Sequence, residues 1–148
     1  MVNYVPSGYF FIASQFNGKV LDVEKASTKD GAKICVWAKK DTDSDNQQWE
    51  YRNGHLINKY SGKALDIKGG KIKHDTRIVQ EDIKEASEEA DSQRWLIDPQ
   101  YYIHTAADTS LVLDIRGAED EDGAEVILYE KREGTASSNQ RWNLIPAN

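Results

Sequence analysis

The sequence predicts an all-β fold assembled from three copies of one four-stranded unit, and three periodic features carry that prediction. An apolar run broken by a single aspartate occurs as Gly18-Lys19-Val20-Leu21-Asp22-Val23, Gly62-Lys63-Ala64-Leu65-Asp66-Ile67 and Ser110-Leu111-Val112-Leu113-Asp114-Ile115. A Gln-x-Trp closes each copy, in Asn46-Gln47-Gln48-Trp49, Ser92-Gln93-Arg94-Trp95 and Asn139-Gln140-Arg141-Trp142, so the tryptophans recur after 46 and then 47 residues. Between the two lies a β-rich run, Ala32 to Trp37, Thr76 to Glu81 and Ala124 to Tyr129, whose last residue follows the aspartate by 15 positions in every copy. A fixed period of this length marks a repeat architecture in which no single unit can bury its apolar face alone.

Each unit opens on a further β-like stretch, Phe10 to Ser14, His55 to Asn58 and Tyr101 to His104, and Gly, Asn, Asp and Ser separate the stretches as turn residues do. The units cover roughly residues 8–52, 53–98 and 99–148 of one domain spanning 1–148. Four strands per unit also describe a propeller blade, but a closed propeller needs at least about four blades. Three units closing on one another form a β-trefoil, in which Leu21, Leu65, Leu113 and the tryptophans Trp49, Trp95 and Trp142 share a core and few strand edges stay free. The run Lys84 to Asp91 combines helix formers with dense charge and is expected to form a solvated loop or a single helical turn. The loops Lys39 to Asp45 and Lys131 to Ser138 are polar surface excursions of the same kind.

The 148 residues, 39% hydrophobic, suit one modest core. A net charge of -6 excludes an electrostatic grip on nucleic acid or an anionic membrane surface, because the long-range field repels polyphosphate. The opening residues show neither a basic cluster nor an apolar run, and no stretch reaches transmembrane length. With Cys35 as the one cysteine, the expectation is a cytoplasmic protein or one released without a signal peptide. No cofactor or metal is expected. Asp41-Thr42-Asp43-Ser44-Asp45 lacks the glycine and glutamate of a calcium loop, and His55, His74 and His104 have no metal-ligand spacing.

A neutral sugar presents hydroxyls in a fixed pattern and one face of C–H groups. Its pocket needs a carboxylate to accept hydroxyl hydrogen bonds, an amide to donate and accept, and an aromatic platform. Asp22, Trp37, Asn46 and Gln47 supply the set in the first unit, and Asp114, Tyr129, Asn139 and Gln140 repeat it in the third. The second unit keeps Asp66 and Gln93 but has Glu81 at the platform position and Ser92 in place of the asparagine, so it is expected to be silent. The tryptophans of the Gln-x-Trp triplets are better explained as core filling. The glutamines, retained even in the second unit, serve backbone groups first and ligand second. Asp22 and Asp114 could pin turns, as Asp66 still would, but ligand contact is the preferred reading. Trp37 and Tyr129 occupy a position that is not uniformly aromatic, which frees it from the demands of the core.

The pattern Leu-Asp-Val with Asn-Gln-x-Trp, in triplicate over nearly the whole chain, resembles the ricin-B, or Gln-x-Trp, lectin family. That resemblance implies galactose or N-acetylgalactosamine binding to glycoproteins or glycolipids in shallow, metal-free pockets, with one site of three commonly lost. Carried over, the sugar-contacting positions are Asp22, Trp37, Asn46 and Gln47, and Asp114, Tyr129, Asn139 and Gln140. Two residues before the aromatic, where the family often has a polar group, this chain has Cys35 and Ile127, which implies one hydrogen bond fewer. The disulfides of secreted plant members are absent. Size and the Leu21-Asp22-Val23 tripeptide also resemble ricin-like toxins, which carries ribosome inactivation, as an rRNA N-glycosidase, as an alternative. No nucleophile and base pair stands out from the repeat, so an enzyme is not the expectation. A trefoil that inhibits a protease or binds another protein is the second alternative. It needs one idiosyncratic loop and leaves the two complete pocket sets unexplained.

Overall fold

The computed structural model describes residues 5–84 and 88–147. The first unit contains β1 (Tyr9–Ser14), β2 (Val20–Val23), β3 (Ile34–Trp37) and β4 (Trp49–Arg52). The second contains β5 (His55–Asn58), β6 (Ala64–Ile67), β7 (Thr76–Glu81) and β8 (Trp95–Ile97). The third contains β9 (Ile103–Thr105), β10 (Asp108–Ile115), β11 (Ala124–Glu130) and β12 (Trp142–Pro146). The fold is the expected all-β trefoil.

The outer strands of each unit build a barrel. β1 pairs with β12 and β4, and β4 pairs with β5, all antiparallel. Backbone hydrogen bonds from Trp95 to Gly54 (2.9 Å) and from Trp142 to Tyr101 (2.8 Å) carry the ring onward at the second and third units. The inner strands form three hairpins, β2–β3, β6–β7 and β10–β11. These hairpins lean on one another through Ala124 opposite Val36, Ile127 opposite Arg77 and the bridge between Lys33 and Val79. Mutual pairing of the hairpins covers edges that would otherwise be open to another chain.

One apolar cluster fills the interior and includes Leu21, Leu65, Leu113, Trp49, Trp95 and Trp142. Each indole N–H donates to the carbonyl just before a repeat aspartate: Trp49 to Leu21 (3.2 Å), Trp95 to Leu65 (3.0 Å) and Trp142 to Leu113 (3.2 Å). A buried Trp needs such a partner. The bond fixes the Gln-x-Trp segment against the aspartate strand, so the two motifs of the sequence meet in every unit.

One local departure from the expected elements has a simple cause. Tyr101 was expected to open a strand, yet it has a φ of 78° and closes a turn on Asp98, and β9 begins at Ile103. Of the charged run Lys84 to Asp91, Glu88–Gln93 forms a 3-10 helix, while residues 85–87 lie outside the described residues. Asp45–Gln47 and Thr135–Gln140 form corresponding 3-10 turns, and these bring the Asn-Gln pairs of the first and third units to the hairpins.

Candidate functional site

The constant spacing of 15 residues follows from hairpin register. Asp22, Asp66 and Asp114 lie opposite Cys35, Val79 and Ile127, and the platform residues Trp37, Glu81 and Tyr129 lie two positions further along. Paired residues share a face and side chains alternate along a strand. The aspartate and platform residue therefore emerge together on one side of each hairpin, while Leu21, Val23, Ile34 and Val36 enter the core.

Behind each aspartate sits a glutamine with no exposed surface. Gln47 donates from Nε2 to Asp22 Oδ2 and to the Ala38 carbonyl, both at 3.0 Å, and its Oε1 accepts from the Lys40 backbone N–H at 3.0 Å. Gln140 does the same for Asp114 (2.8 Å), Glu130 (2.9 Å) and Arg132 (2.8 Å). Gln93 does so for Asp66 (3.1 Å), Asp82 (2.8 Å) and Lys84 (2.9 Å). With every polar group used internally, Gln47 and Gln140 aim the carboxylates and do not line the cavities in front of them.

The asparagines hold the other carboxylate oxygen. Asn46 Nδ2 donates to Asp22 Oδ1 (3.3 Å) and the Val23 carbonyl (3.2 Å), and Asn139 Nδ2 donates to Asp114 Oδ1 (3.4 Å) and the Ile115 carbonyl (3.0 Å). Their Oδ1 atoms accept from Lys40 Nζ and Arg132 Nη2, each at 2.9 Å. Sequence reasoning missed these two cations. The signal was available, because Lys40, Lys84 and Arg132 each follow the repeat aspartate by 18 residues.

In the first unit a cavity of about 390 Å³ is bounded by Asp22, Cys35, Trp37, Lys40, Asn46 and Gly123. A matching cavity of about 390 Å³ in the third unit is bounded by Asp114, Ile127, Tyr129, Arg132, Asn139 and Asp75. Trp37 is 43% exposed and Tyr129 is half-buried, so each presents ring surface at the rim. Burial raises the Asp22 and Asp114 carboxyls above the ordinary range, opposed by the Gln47 and Gln140 hydrogen bonds and the charges of Lys40 and Arg132. Burial also pushes the Cys35 thiol up to about 12, so the floor of the first cavity stays uncharged there.

The outer wall of each of these cavities belongs to a neighbouring unit. Asp122 accepts from the Ala38 N–H (2.9 Å) and pairs with Lys19 (3.2 Å), which seats Gly123 against Trp37. In the third unit the neighbour's His74 lies with its ring 5.4 Å from that of Tyr129, and Asp75 pairs with Arg116.

The second cavity, about 480 Å³, contains Asp66, Glu81, Lys84, Asp91 and Ser92. Glu81 occupies the register position of Trp37, and the short Ser92 leaves Asp66 Oδ1 to accept from the Ile67 N–H at 2.6 Å. Among the described residues no group of three His, Cys, Asp or Glu is placed to hold a metal ion, and no helix is long and apolar enough to cross a membrane.

In the first and third units a prepositioned carboxylate, an amide and an aromatic side chain surround an opening of monosaccharide size. The chain belongs to the ricin-type β-trefoil lectin family: the model described as "Ricin-type beta-trefoil lectin domain-like" matches residues 2–81 and 55–129. Among named proteins it is similar to mucoricin of Rhizopus delemar, with 56% identity over 98 residues that make up 66% of this chain and 66% of mucoricin. The match thus spans just under two thirds of that relative. The designed three-fold symmetric protein ThreeFoil is 31% identical, with a TM-score of 0.80 over 95% of this chain and 100% of that one. The C-half of an earthworm R-type lectin, solved in complex with GalNAc, is 27% identical, with a TM-score of 0.76 over 95% of this chain and 98% of its own.

Proposed function

We propose that this lectin-family chain binds galactose- or N-acetylgalactosamine-type glycans through the pockets of the first and third units, without catalysing a reaction. The observation that carries this reading is the duplication of one constellation. In both pockets the glutamine and asparagine aim the aspartate into a cavity of the same size beside an aromatic ring, Trp37 exposed and Tyr129 half-buried. The GalNAc complex of the earthworm relative supports the sugar class. Asp22 and Asp114 accept hydroxyl hydrogen bonds, Trp37 and Tyr129 cover the C–H face, and Asn46 and Asn139 complete the polar contacts, while Gln47 and Gln140 act by positioning.

Shallow single-sugar sites bind near the millimolar end of the scale, and two on one rigid body gain avidity on glycoproteins or glycolipids displayed together. Calorimetric titration with lactose, with glucose as control, tests the proposal. Selective binding near two lactose molecules per chain is expected; a folded protein with no affinity for lactose overturns it.

A further inference from the structure

The pocket of the first unit has a neighbour. An adjoining cavity of about 370 Å³ is bounded by Ala26, Lys40, Asp43, Asp45, Asn46 and Tyr60. Ala26, Lys40 and Asn46 also bound the first pocket, so the two openings meet along these three side chains. Five of the six residues belong to the first unit. The sixth, Tyr60, comes from the turn that follows β5 in the second unit and is 53% exposed, so the demands of the core do not account for it.

The turn that carries Tyr60 is tied to the first pocket by a buried amide. Asn58 Oδ1 accepts from the backbone N–H groups of Tyr60 and Ser61, both at 3.1 Å. Its Nδ2 donates to the carbonyls of Asn46 (3.1 Å) and Gln48 (3.4 Å). Asn46 is the residue whose side chain holds Asp22, so one amide sets Tyr60 against the backbone that positions the pocket carboxylate. The repeats show that this link is particular to one junction. Ser14, Asn58 and Thr105 share a register position, opposite Trp142, Trp49 and Trp95. The Ser14 hydroxyl accepts from the Phe16 N–H of its own turn at 3.0 Å, and Thr105 Oγ1 is buried without a hydrogen-bond partner among the described residues. Two positions further on stand Phe16, Tyr60 and Ala107.

The adjoining cavity thus offers an aromatic ring, the carboxylates of Asp43 and Asp45, and the amide of Asn46. The two carboxylates are matched in number by Lys40 in the cavity and by Lys59, whose Nζ lies 3.6 Å from Asp45. Polar groups of both signs beside an aromatic face suit a neutral hydroxylated ring.

We propose that the Tyr60 cavity receives the second residue of a neutral, galactose-terminated disaccharide whose terminal ring occupies the first pocket, with Tyr60 lying against the C–H face of that second residue. The inference rests on the reading of the first pocket as a sugar site. It makes that pocket a reader of linked sugars, and Tyr60 a specificity-determining residue for that pocket alone.

The test titrates the Tyr129→Ala variant, in which the first pocket is the remaining site, with methyl β-galactoside and with β1,3-, β1,4- and α1,6-linked galactosyl disaccharides. At least one linkage is expected to bind about tenfold more tightly than the methyl glycoside. Adding Tyr60→Ala is expected to remove that advantage and to leave methyl β-galactoside affinity unchanged. In the Trp37→Ala background, which retains the third pocket, Tyr60→Ala is expected to change nothing. Affinity no greater for any disaccharide than for the monosaccharide overturns the proposal, as does an equal loss for both on Tyr60→Ala or a loss at the third pocket. Methyl β-galactoside binding without a preferred linkage defeats this inference alone, whereas failure of the monosaccharide and of every disaccharide defeats the lectin reading as well.

Discussion

Gln47 and Asp22 are joined by a 3.0 Å hydrogen bond from Nε2 to Oδ2, and the same amide is anchored at its other end by the Lys40 backbone N–H. One buried side chain thus ties the start of the hairpin to the strand that leaves it. Replacing Gln47 with Leu leaves the Lys40 N–H and an Asp22 oxygen without their partner, at a cost of about 1–3 kcal/mol. Gln93→Leu is expected to destabilise by a similar amount, since its bonds correspond. Chemical denaturation should show both losses, while titration should show that only Gln47→Leu removes a lactose site.

Trp37→Ala and Tyr129→Ala should each lower lactose stoichiometry from two to one, and the double variant should no longer agglutinate cells. Trp37 is 43% exposed, so its removal is expected to cost about 1 kcal/mol or less in stability. Retained agglutination by the folded double variant would remove these residues from the site.

Acid should release the sugar before it unfolds the pockets. Because burial raises Asp22 and Asp114 above the ordinary carboxylate range, the folded protein holds these protons more tightly than the unfolded chain does. Their burial cost is fully present above the folded pKa and is relieved as pH falls through it, while the protonated groups become poorer hydroxyl acceptors. Lactose affinity is therefore expected to fall at a pH above the usual aspartate value, with proton release on binding in that window. Titrations in buffers of different ionisation enthalpy measure this release, and its absence contradicts the assigned role of the aspartates.

Asp98 works in the opposite sense. Burial pushes its carboxyl up, but hydrogen bonds from His104 and from the N–H groups of Tyr102 and Gln100 outweigh it and hold the group below its ordinary range. This contribution to stability is present above the unfolded pKa and is lost as pH falls through the lower folded one. Asp98→Asn should therefore lower the melting temperature at neutral pH and flatten its fall in acid. A parallel downward shift at every pH contradicts this.

Asp122 bonds to Ala38 across 84 residues of sequence and seats Gly123 against Trp37. Asp122→Ala is expected to weaken lactose binding at the first pocket about fivefold, roughly 1 kcal/mol, and to leave the third pocket unchanged. Measuring the variant in Tyr129→Ala and Trp37→Ala backgrounds separates the two sites. An equal effect on both pockets would contradict a local wall.

Much of this could be read from the residues in order. The spacing from Asp22 to Trp37 reflects a hairpin, and hairpin register is a local property written in sequence distance. The role of the tryptophans as core followed from their bulk and their recurrence with the repeat. The glutamines were legible as backbone partners because they persist in the unit whose pocket had changed. The boundary at Tyr101 was not, because a turn held by Asp98 and Trp142 draws on the last residue of the second unit and on the far end of the third.

By itself the sequence determined the three-fold all-β architecture, the shared core and the residue types gathered on one face of each hairpin, since period and alternation act over a few residues. Tertiary structure alone decided that Gln47 and Gln140 lie behind the aspartates, that Lys40 and Arg132 reach the asparagines, and that Gly123 of the third unit, beside the Asp122 bond to Ala38, walls the pocket of the first. These outcomes depend on how far each side chain reaches once the units have closed on one another, and reach across a closed ring is not encoded in any local spacing.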